Sequence, residues 1–216
     1  RIPGFSMFGG IACQECHMPE KEDGTHDHTF IGVDMDLSIP YLENPLFDKV
    51  SDMLSSSAEI RFEIWNQVLP ETISSLDTLS IPLTIESLTA HSIPSGTSFN
   101  REAWIEIIVK HNNEVLFSSG YLDNNTQNLD YNDNNLLIFK SYLYDVNGNS
   151  THSVIDVHNI DNQSLQAYSQ RFKYYDFLVP EGIDGELNIQ ARMLFRPFEP
   201  EFIIEHHSEF LNNLPI

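Results

Sequence analysis

The stretch EIRFEIW, residues 59–65, alternates strictly between polar and apolar side chains. Successive side chains of a β-strand point to opposite faces of a sheet, so this pattern predicts a half-buried strand. Similar runs continue towards the C-terminus, and turn sequences such as His111-Asn112-Asn113 and Asn147-Gly148 separate them. Seven or eight strands at this spacing predict a mainly β protein built as an antiparallel β-sandwich.

The predicted strands after residue 65 are short and closely spaced. They are the runs 79–88, 103–110, 114–117, 136–144, 153–157, 167–178 and 186–195. No helical periodicity alternates with them, which argues against a parallel α/β sheet.

Trp65 and Trp104 fall on strand patterns and are predicted to lie in the core. The stretch 145–149 partly resembles a calcium loop but lacks the downstream bidentate Glu, so we interpret it as a hairpin turn.

The chain on either side of the strands has a different character. Residues 1–56 lack periodicity and are interrupted by glycine and proline, so they predict a loop-rich segment with one short helix near 45–54. The strands occupy 57–197. Residues 198–216 carry apolar side chains at helical spacing, which predicts a short C-terminal helix packed on the sheets.

Charge limits the partners of the chain. Its 216 residues include 11 basic and 32 acidic ones, for a formal net charge of −21. This balance argues against nucleic acid or an anionic membrane as a partner. No stretch approaches the roughly 20 apolar residues of a membrane helix, so no span is predicted. The chain begins Arg1-Ile2-Pro3-Gly4, and we expect a signal sequence to lie upstream or to have been removed.

The two cysteines lie three residues apart in CQECH, Cys13–His17. Two thiols at this spacing can form thioethers to the two vinyl groups of one haem, and the adjacent imidazole then lies beneath the iron. The motif therefore predicts one covalent haem c on Cys13 and Cys16, with His17 as an axial ligand. Covalent attachment holds a cofactor even where the surrounding fold is thin, as in this loop-rich segment.

Three other interpretations of the cysteines stay open. A disulfide between Cys13 and Cys16 would close a short, isolated loop. A thioredoxin-like pair requires a helix in a βαβ context, whereas Pro19 follows this motif closely. A zinc site could add His26 and His28, but His-x-His is tighter than the usual His-x₃₋₅-His spacing.

A second axial ligand must come from elsewhere in the chain. Met18 adjoins the proximal His17, so it cannot easily reach the opposite face, and Met35 is poorly placed. The remaining candidates are the other eight histidines: His26, His28, His91, His111, His152, His158, His206 and His207. His26 and His28 lie in the loop-rich segment, and His91 lies where a strand runs into a rigid Pro-Gly turn.

Several short motifs follow one another in a defined order. They are Cys16-His17-Met18-Pro19, His28-Thr29-Phe30-Ile31-Gly32, His91-Ser92-Ile93-Pro94-Ser95-Gly96 with Arg101 and Trp104, Phe117-Ser118-Ser119-Gly120, and Ala191-Arg192-Met193-Leu194-Phe195-Arg196-Pro197. This succession resembles the C-terminal region of bacterial multihaem c-type cytochromes. In that group CxxCHMP, HxFxG and GHxxPTG motifs precede an Ig-like β-sandwich. Ala90 and Ser95 depart from the pattern, where Gly and Thr are usual.

The resemblance implies an electron-transfer cytochrome with haem c, placed in the periplasm or at the cell surface. Its partners would be other haem groups or redox proteins, within a homo- or hetero-oligomer. Because this chain has one CxxCH, His28 and His91 could be ligands of different haems, one of them held upstream or by another subunit. For the haem of this chain the preferred distal ligand is His91, then His28, then His26.

Three functions are compatible with these features. The first is electron transfer through a haem with two histidine ligands, as one part of a multihaem relay. The second is a haem enzyme with an open distal site. The third is a β-sandwich adhesion or assembly module that carries an accessory haem. The abundance of histidines favours an electron carrier over an enzyme.

Overall fold

The computed structural model describes residues 13–122 and 128–213, so the predictions for residues 1–12 and 214–216 lie outside the described residues. Eleven strands and three α-helices are assigned within this part of the chain. In chain order they are α1 (Cys13–His17), α2 (Phe47–Ser55), β1 (Ala58–Arg61), β2 (Glu63–Ile64), β3 (Gln67–Val68), β4 (Thr78–Ser87), β5 (Glu102–His111), β6 (Glu114–Ser119), β7 (Leu137–Phe139), β8 (Ser141–Tyr144), β9 (Asn159–Asn162), β10 (Gln170–Leu178), β11 (Asn188–Arg196) and α3 (Pro200–His207). Short 3₁₀ helices cover Tyr41–Glu43 and Ser208–Asn213.

The strands form two main sheets and two small ones, and every strand pair is antiparallel. One main sheet has the order β1-β4-β10. The other has the order β11-β5-β6, and β7 also pairs with β5. Strands β2 and β3 form a hairpin, as do β8 and β9. The predicted mainly β class, with antiparallel sheets and a short C-terminal helix, is confirmed.

The two main sheets share one hydrophobic core, and the two-residue period of a strand explains how. Alternate side chains of β4, β5 and β10 contribute to a single buried cluster. From these strands its members are Leu79, Ile81, Leu83, Ile85, Ala103, Ile105, Ile107, Val109, Tyr175 and Phe177. Both main sheets therefore contribute to the same core. The Ig-like β-sandwich and the division at residues 56 and 197 stay predictions.

The other face of β5 carries a buried ionic network. Arg196 pairs with Glu102, and both side chains are fully buried. The Tyr131 hydroxyl donates to the same carboxylate, and Lys140 lies 2.5 Å from Glu199, just ahead of α3. Burial raises the pKa of Glu102, while Arg196 and Lys140 act in the opposite direction. Because a lone buried charge is costly, this pairing links β5, β11 and the start of α3.

Three local predictions were wrong or incomplete. The run 153–157 is a turn rather than a strand, with the Ile155 side chain 91% exposed, and the strand begins later, as β9. The run 136–144 divides at Lys140, because β7 pairs with β5 whereas β8 pairs with β9. Trp65 is 84% exposed, since it occupies the tight turn between β2 and β3.

Other local predictions are confirmed. Trp104 is fully buried. Helix α2 lies where the short helix was expected, and α3 begins at a proline, a residue suited to the first helical turn. Asp145 accepts hydrogen bonds from the main-chain N–H groups of Asn147 and Asn149, as in a hairpin turn. Within residues 13–122 and 128–213 no helix is long and apolar enough to cross a membrane.

Candidate haem-binding site

The CQECH motif forms the single turn of helix α1. Cys13 and Cys16 are both exposed, and neither is in a disulfide. Residues three apart on a helix lie on the same side of it, so the two thiols are accessible from one direction. The Met18 N–H closes the turn on the Gln14 carbonyl at 2.7 Å, and the helix ends before Pro19, which cannot continue it.

His17 is oriented by the main chain of a later segment. Its Nδ1–H donates to the carbonyl oxygen of Ile31 at 2.8 Å, because a carbonyl can only accept. The neutral ring then has its lone pair on Nε2, which is the tautomer that binds a metal through Nε2. The ring of Phe30 lies 5.2 Å from the His17 ring, with 18° between the two planes.

His91 has the same arrangement on the β side of the molecule. Its Nδ1–H donates to the Ser92 carbonyl oxygen at 3.1 Å, so Nε2 again has the lone pair. The turn that carries it is anchored next to this histidine. The N–H and the carbonyl of Ile93 each form a 2.8 Å hydrogen bond with the main chain of Leu165. His91 therefore lies on a turn held by the sheet region.

The structure brings the rings of His17 and His91 together. Their centroids are 6.2 Å apart, and their planes differ by 26°. A metal–imidazole bond is about 2.0 Å, and a five-membered ring with bonds of about 1.33 Å has a radius of about 1.1 Å. Two such bonds and two such radii add to about 6.2 Å when the metal lies between the nitrogens. The observed centroid separation matches that sum, and the two nearly parallel rings are stacked.

His26 and His28 occupy different surroundings. The His26 Nδ1–H donates to the Met18 carbonyl at 2.7 Å, which closes the turn in which Glu20 pairs with His26. His28 is exposed and follows Asp27 in a separate turn. Among residues 13–122 and 128–213, the ring contacts of His17 are with Phe30 and His91. In the described part of the chain no group of three or more His, Cys, Asp and Glu residues could hold a metal ion, so the zinc arrangement is not formed there.

Three aspartates shape residues 13–46, which we call the arm. Each accepts hydrogen bonds from the hydroxyl and the main-chain N–H of a Ser or Thr two residues later. The pairs are Asp23 with Thr25, Asp27 with Thr29, and Asp36 with Ser38. These bonds, from the hydroxyl first, lower the pKa of each carboxyl group. The arm thus contains three tight turns that ionised aspartates stabilise.

The acceptors that orient both histidines were missed in the sequence. They are the main-chain carbonyls of Ile31 and Ser92, and every residue has such a carbonyl. A side-chain pattern therefore contains no signal for them. The Asp-x-Ser/Thr spacing at the three turns, in contrast, is visible in the sequence and predicts the local hydrogen bonds.

Comparisons with known proteins find a structural relative. No protein-family model matches the chain, and no curated protein sequence matches it significantly. The crystal structure of a penta-heme cytochrome c552 from Thermochromatium tepidum is similar, with a TM-score of 0.66 and 18% sequence identity. The alignment covers 97% of this chain and 46% of that one, so this chain spans about half the length of its relative. The chain therefore has a multihaem-cytochrome-like fold.

Proposed function

We propose that this chain holds one haem c through Cys13 and Cys16, with His17 and His91 as the two axial ligands, and serves in electron transfer. The observation that supports this best is the 6.2 Å separation of the two imidazole rings. Both rings also have Nδ1 bonded to a main-chain carbonyl, so both are in the tautomer that binds iron through Nε2. The exposed thiols of the CQECH turn complete the site.

Two histidine ligands favour electron transfer over catalysis. A haem with both axial positions filled changes oxidation state without binding a substrate. The residues of this chain then orient the ligands, and the Ile31 and Ser92 carbonyls increase the electron donation of the imidazoles. A net charge of −21 would favour the ferric state. The short distance between the His17 and His91 rings favours this function over an enzyme with an open distal site.

The chain is proposed to be one part of a multihaem relay. Its fold matches about half of a penta-heme protein, and it has one CxxCH motif. Its partners would be neighbouring haems or redox proteins, within a homo- or hetero-oligomer in the periplasm or outside the cell. Exposed His28 is a candidate ligand for a haem bound elsewhere. His28 and then His26 remain the second and third choices for the haem of this chain.

One experiment tests both the cofactor and the ligand. The full chain is expressed in a host that matures c-type cytochromes, and its haem is measured by pyridine haemochrome and absorption spectroscopy. We expect one covalent haem per chain and a six-coordinate, low-spin ferric spectrum. His91→Ala should convert the spectrum to high spin, whereas the matched variants His28→Ala and His26→Ala should leave it low spin.

Other results would contradict the proposed cofactor, the proposed function or the proposed ligand. A chain without covalent haem contradicts the proposed cofactor. A high-spin spectrum of the unmodified chain supports the haem enzyme with an open distal site. A His91→Ala variant that stays low spin, together with a His28→Ala variant that becomes high spin, makes His28 the distal ligand.

A further inference from the structure

Each candidate ligand is oriented within its own segment, so the distance between the two rings depends on how those segments are joined. His17 is bonded to the carbonyl of Ile31 in the arm. His91 is bonded to the carbonyl of Ser92 in the turn of residues 91–96. Neither bond crosses from one segment to the other. A contact that joins the arm to the turn would fix the distance between the two rings.

Arg101 makes that contact with both segments. Its Nη2 donates to Asp34 at 2.6 Å, and its Nη1 donates to the Ser95 carbonyl oxygen at 2.8 Å. Asp34 lies three residues after Ile31, and Ser95 lies three residues after Ser92. One guanidinium group thus joins the segment that orients His17 to the segment that orients His91.

The Arg101 side chain is held in place by its surroundings. It directly precedes β5, whose first eight residues are buried, and its side chain is only 14% exposed. Gly96 has φ +65°, and a Cβ atom there would lie 3.0 Å from Nη1 of Arg101. The glycine therefore allows the close approach of the guanidinium group to the turn.

The apolar surface on either side of Asp34 is not completely filled. A cavity of about 450 Å³ lies beneath Val33 and Met35, the two neighbours of Asp34, and Ile93 also lines it. Apolar contacts are therefore incomplete where the arm meets the turn. The bidentate geometry of an arginine suits a contact that fixes two groups at once, which a lysine cannot reproduce.

We propose that Arg101 is a positioning residue that sets the separation of His17 and His91 and so keeps His91 on the iron. The inference rests on the proposed function, because it needs the haem between these two histidines. Arg101 acts through Asp34 and Ser95 and does not touch the ligands themselves. Its loss should allow His91 to leave the iron more often, while the covalent haem stays attached.

The rate of cyanide binding to the ferric chain measures this directly. Cyanide can bind only after the distal histidine has left, so the rate reports how often His91 dissociates, and His91→Ala gives the upper limit. A hydrogen bond to a charged group is worth enough to change an equilibrium roughly tenfold or more. We expect Arg101→Gln to raise the cyanide-binding rate roughly tenfold, Asp34→Asn to raise it in the same direction, and Arg101→Lys to give a smaller rise.

Arg192→Gln is the matched control. Arg192 forms a 2.6 Å ion pair with Glu106 between β11 and β5. The variant therefore loses an arginine–carboxylate pair of the same length, but one that joins two strands of a sheet. Its cyanide-binding rate should stay that of the unmodified chain, even if its melting temperature falls. A purely structural role of Arg101 would likewise lower the melting temperature without changing the rate well below unfolding.

The outcomes separate this inference from the proposed function. If Arg101→Gln and Asp34→Asn both keep the unmodified rate, the positioning role is wrong, although the haem and its ligands stand. If Arg101→Gln does not fold, Asp34→Asn decides alone, since the Asp34 side chain is 58% exposed and its loss is tolerable. If the unmodified chain lacks covalent haem, or His91→Ala stays low spin, the proposed function itself fails.

Discussion

The two candidate ligands show how a main-chain atom can prepare a histidine for a metal. At His17 and at His91 the Nδ1–H donates to a carbonyl, of Ile31 and of Ser92 respectively. A ring held by such a bond loses little rotational freedom when it binds, and its Nε2 is already the unprotonated atom. The two residues differ in how they are attached, since His17 is the last residue of a one-turn helix and His91 follows the end of β4.

Gly120 accepts the hydrogen bond of a buried tryptophan side chain. The indole N–H of fully buried Trp104 donates to the Gly120 carbonyl at 2.9 Å. Gly120 has φ +65°, and a Cβ atom at this position would overlap the main-chain oxygen of Ile105. That oxygen belongs to β5 and cannot move without disturbing the pairing of the central strand. A larger residue would therefore break either the strand or the indole hydrogen bond.

Gly120→Ala should lower the free energy of unfolding by at least about 2 kcal/mol, because steric overlap adds to the strain of a positive φ. Urea unfolding of the two chains measures the difference. Gly148→Ala is the control, since Gly148 has φ +82° but a Cβ there meets nothing within 4 Å. It should cost about 1 to 2 kcal/mol from backbone strain alone. Equal losses for the two variants would mean that the close approach to Ile105 is unimportant.

At the scale of elements, the arm is held by local turns more than by sheet pairing. An ionised carboxylate stabilises each of its three Asp-x-Ser/Thr turns. A few longer-range bonds supplement them, including the one from the Asn213 side chain to the Leu37 carbonyl at 2.9 Å. The sheets, in contrast, are held by long antiparallel ladders such as β4 with β10. The arm should therefore respond to acid before the sheets do.

The direction of this response follows from the pKa shifts. Hydrogen bonds lower the pKa of Asp23, Asp27 and Asp36 below the ordinary value of about 3.9. The unfolded arm then binds more protons than the folded arm, so the stabilisation is present above about pH 4 and is lost as pH falls through the folded values. We expect hydrogen exchange in residues 23–38, corrected for the intrinsic rate, to accelerate below about pH 4 while β5 stays protected. Asp36→Asn should reduce this acid dependence around Ser38.

An arm that stays as protected as β5 at pH 3 would contradict this interpretation. It would mean that its longer-range contacts, rather than the carboxylate turns, hold it in place. The Asp36→Asn variant separates the two explanations, because it removes one ionisable acceptor and leaves the Asn213 contact intact.

Features that depend on neighbouring residues could be predicted from the sequence, whereas features that depend on distant parts of the chain could not. The strands β4, β5, β10 and β11 were predicted because the residue pattern of a strand is local, whereas helix α2 was expected in a segment without clear periodicity. The wrong strand at 153–157 had the right composition but no neighbouring strand with which to pair, so Ile155 is exposed. Trp65 follows an alternating pattern, yet the turn of a tight hairpin overrides it. Pairing partners are long-range, and periodicity contains no information about them.

The candidate site also has a part that the sequence predicts and a part that depends on distant contacts. The spacing of Cys13, Cys16 and His17 is a local chemical pattern, and it supports a prediction directly. The proximity of His91 to His17 depends on how the arm folds over the turn, so the sequence could rank His91 among eight candidates but could not measure a distance. Arg101 appeared only as part of a motif, because its role requires both Asp34 and Ser95 to be near it.

At the scale of the whole molecule, the candidate haem site lies at one end of the central strand. Arg101 directly precedes β5, and His111 ends that strand. A strand of this length spans about 30 Å. The β10–β11 turn lies beside His111, since a Cβ atom at Gly185 would be 3.7 Å from its ring. The two ends of β5 are therefore separated by more than the distance over which charges act in physiological salt, about 8 Å.

The excess of acidic residues should make the haem-loaded chain react faster with cationic redox partners than with anionic ones. The arm around the CQECH turn carries exposed Glu15, Glu20 and Glu22. A negative surface attracts cations and repels anions, and salt screens both effects. We expect oxidation of the reduced chain by a cationic complex such as hexaammineruthenium(III) to slow by about tenfold or more between about 0.01 M and about 1 M ionic strength. Oxidation by anionic ferricyanide should accelerate over the same range.

Two double variants locate the charges that matter. Glu20→Gln with Glu22→Gln removes acid beside the candidate site, whereas Glu181→Gln with Asp184→Asn removes the same charge from the β10–β11 turn at the other end of β5. If electrons leave from the arm, the first pair should flatten the salt dependence and the second should leave it nearly unchanged, because the distant charges are screened. Equal effects of the two pairs would show that the net charge of the whole chain acts, and a larger effect of the second pair would place the exit of electrons away from the arm.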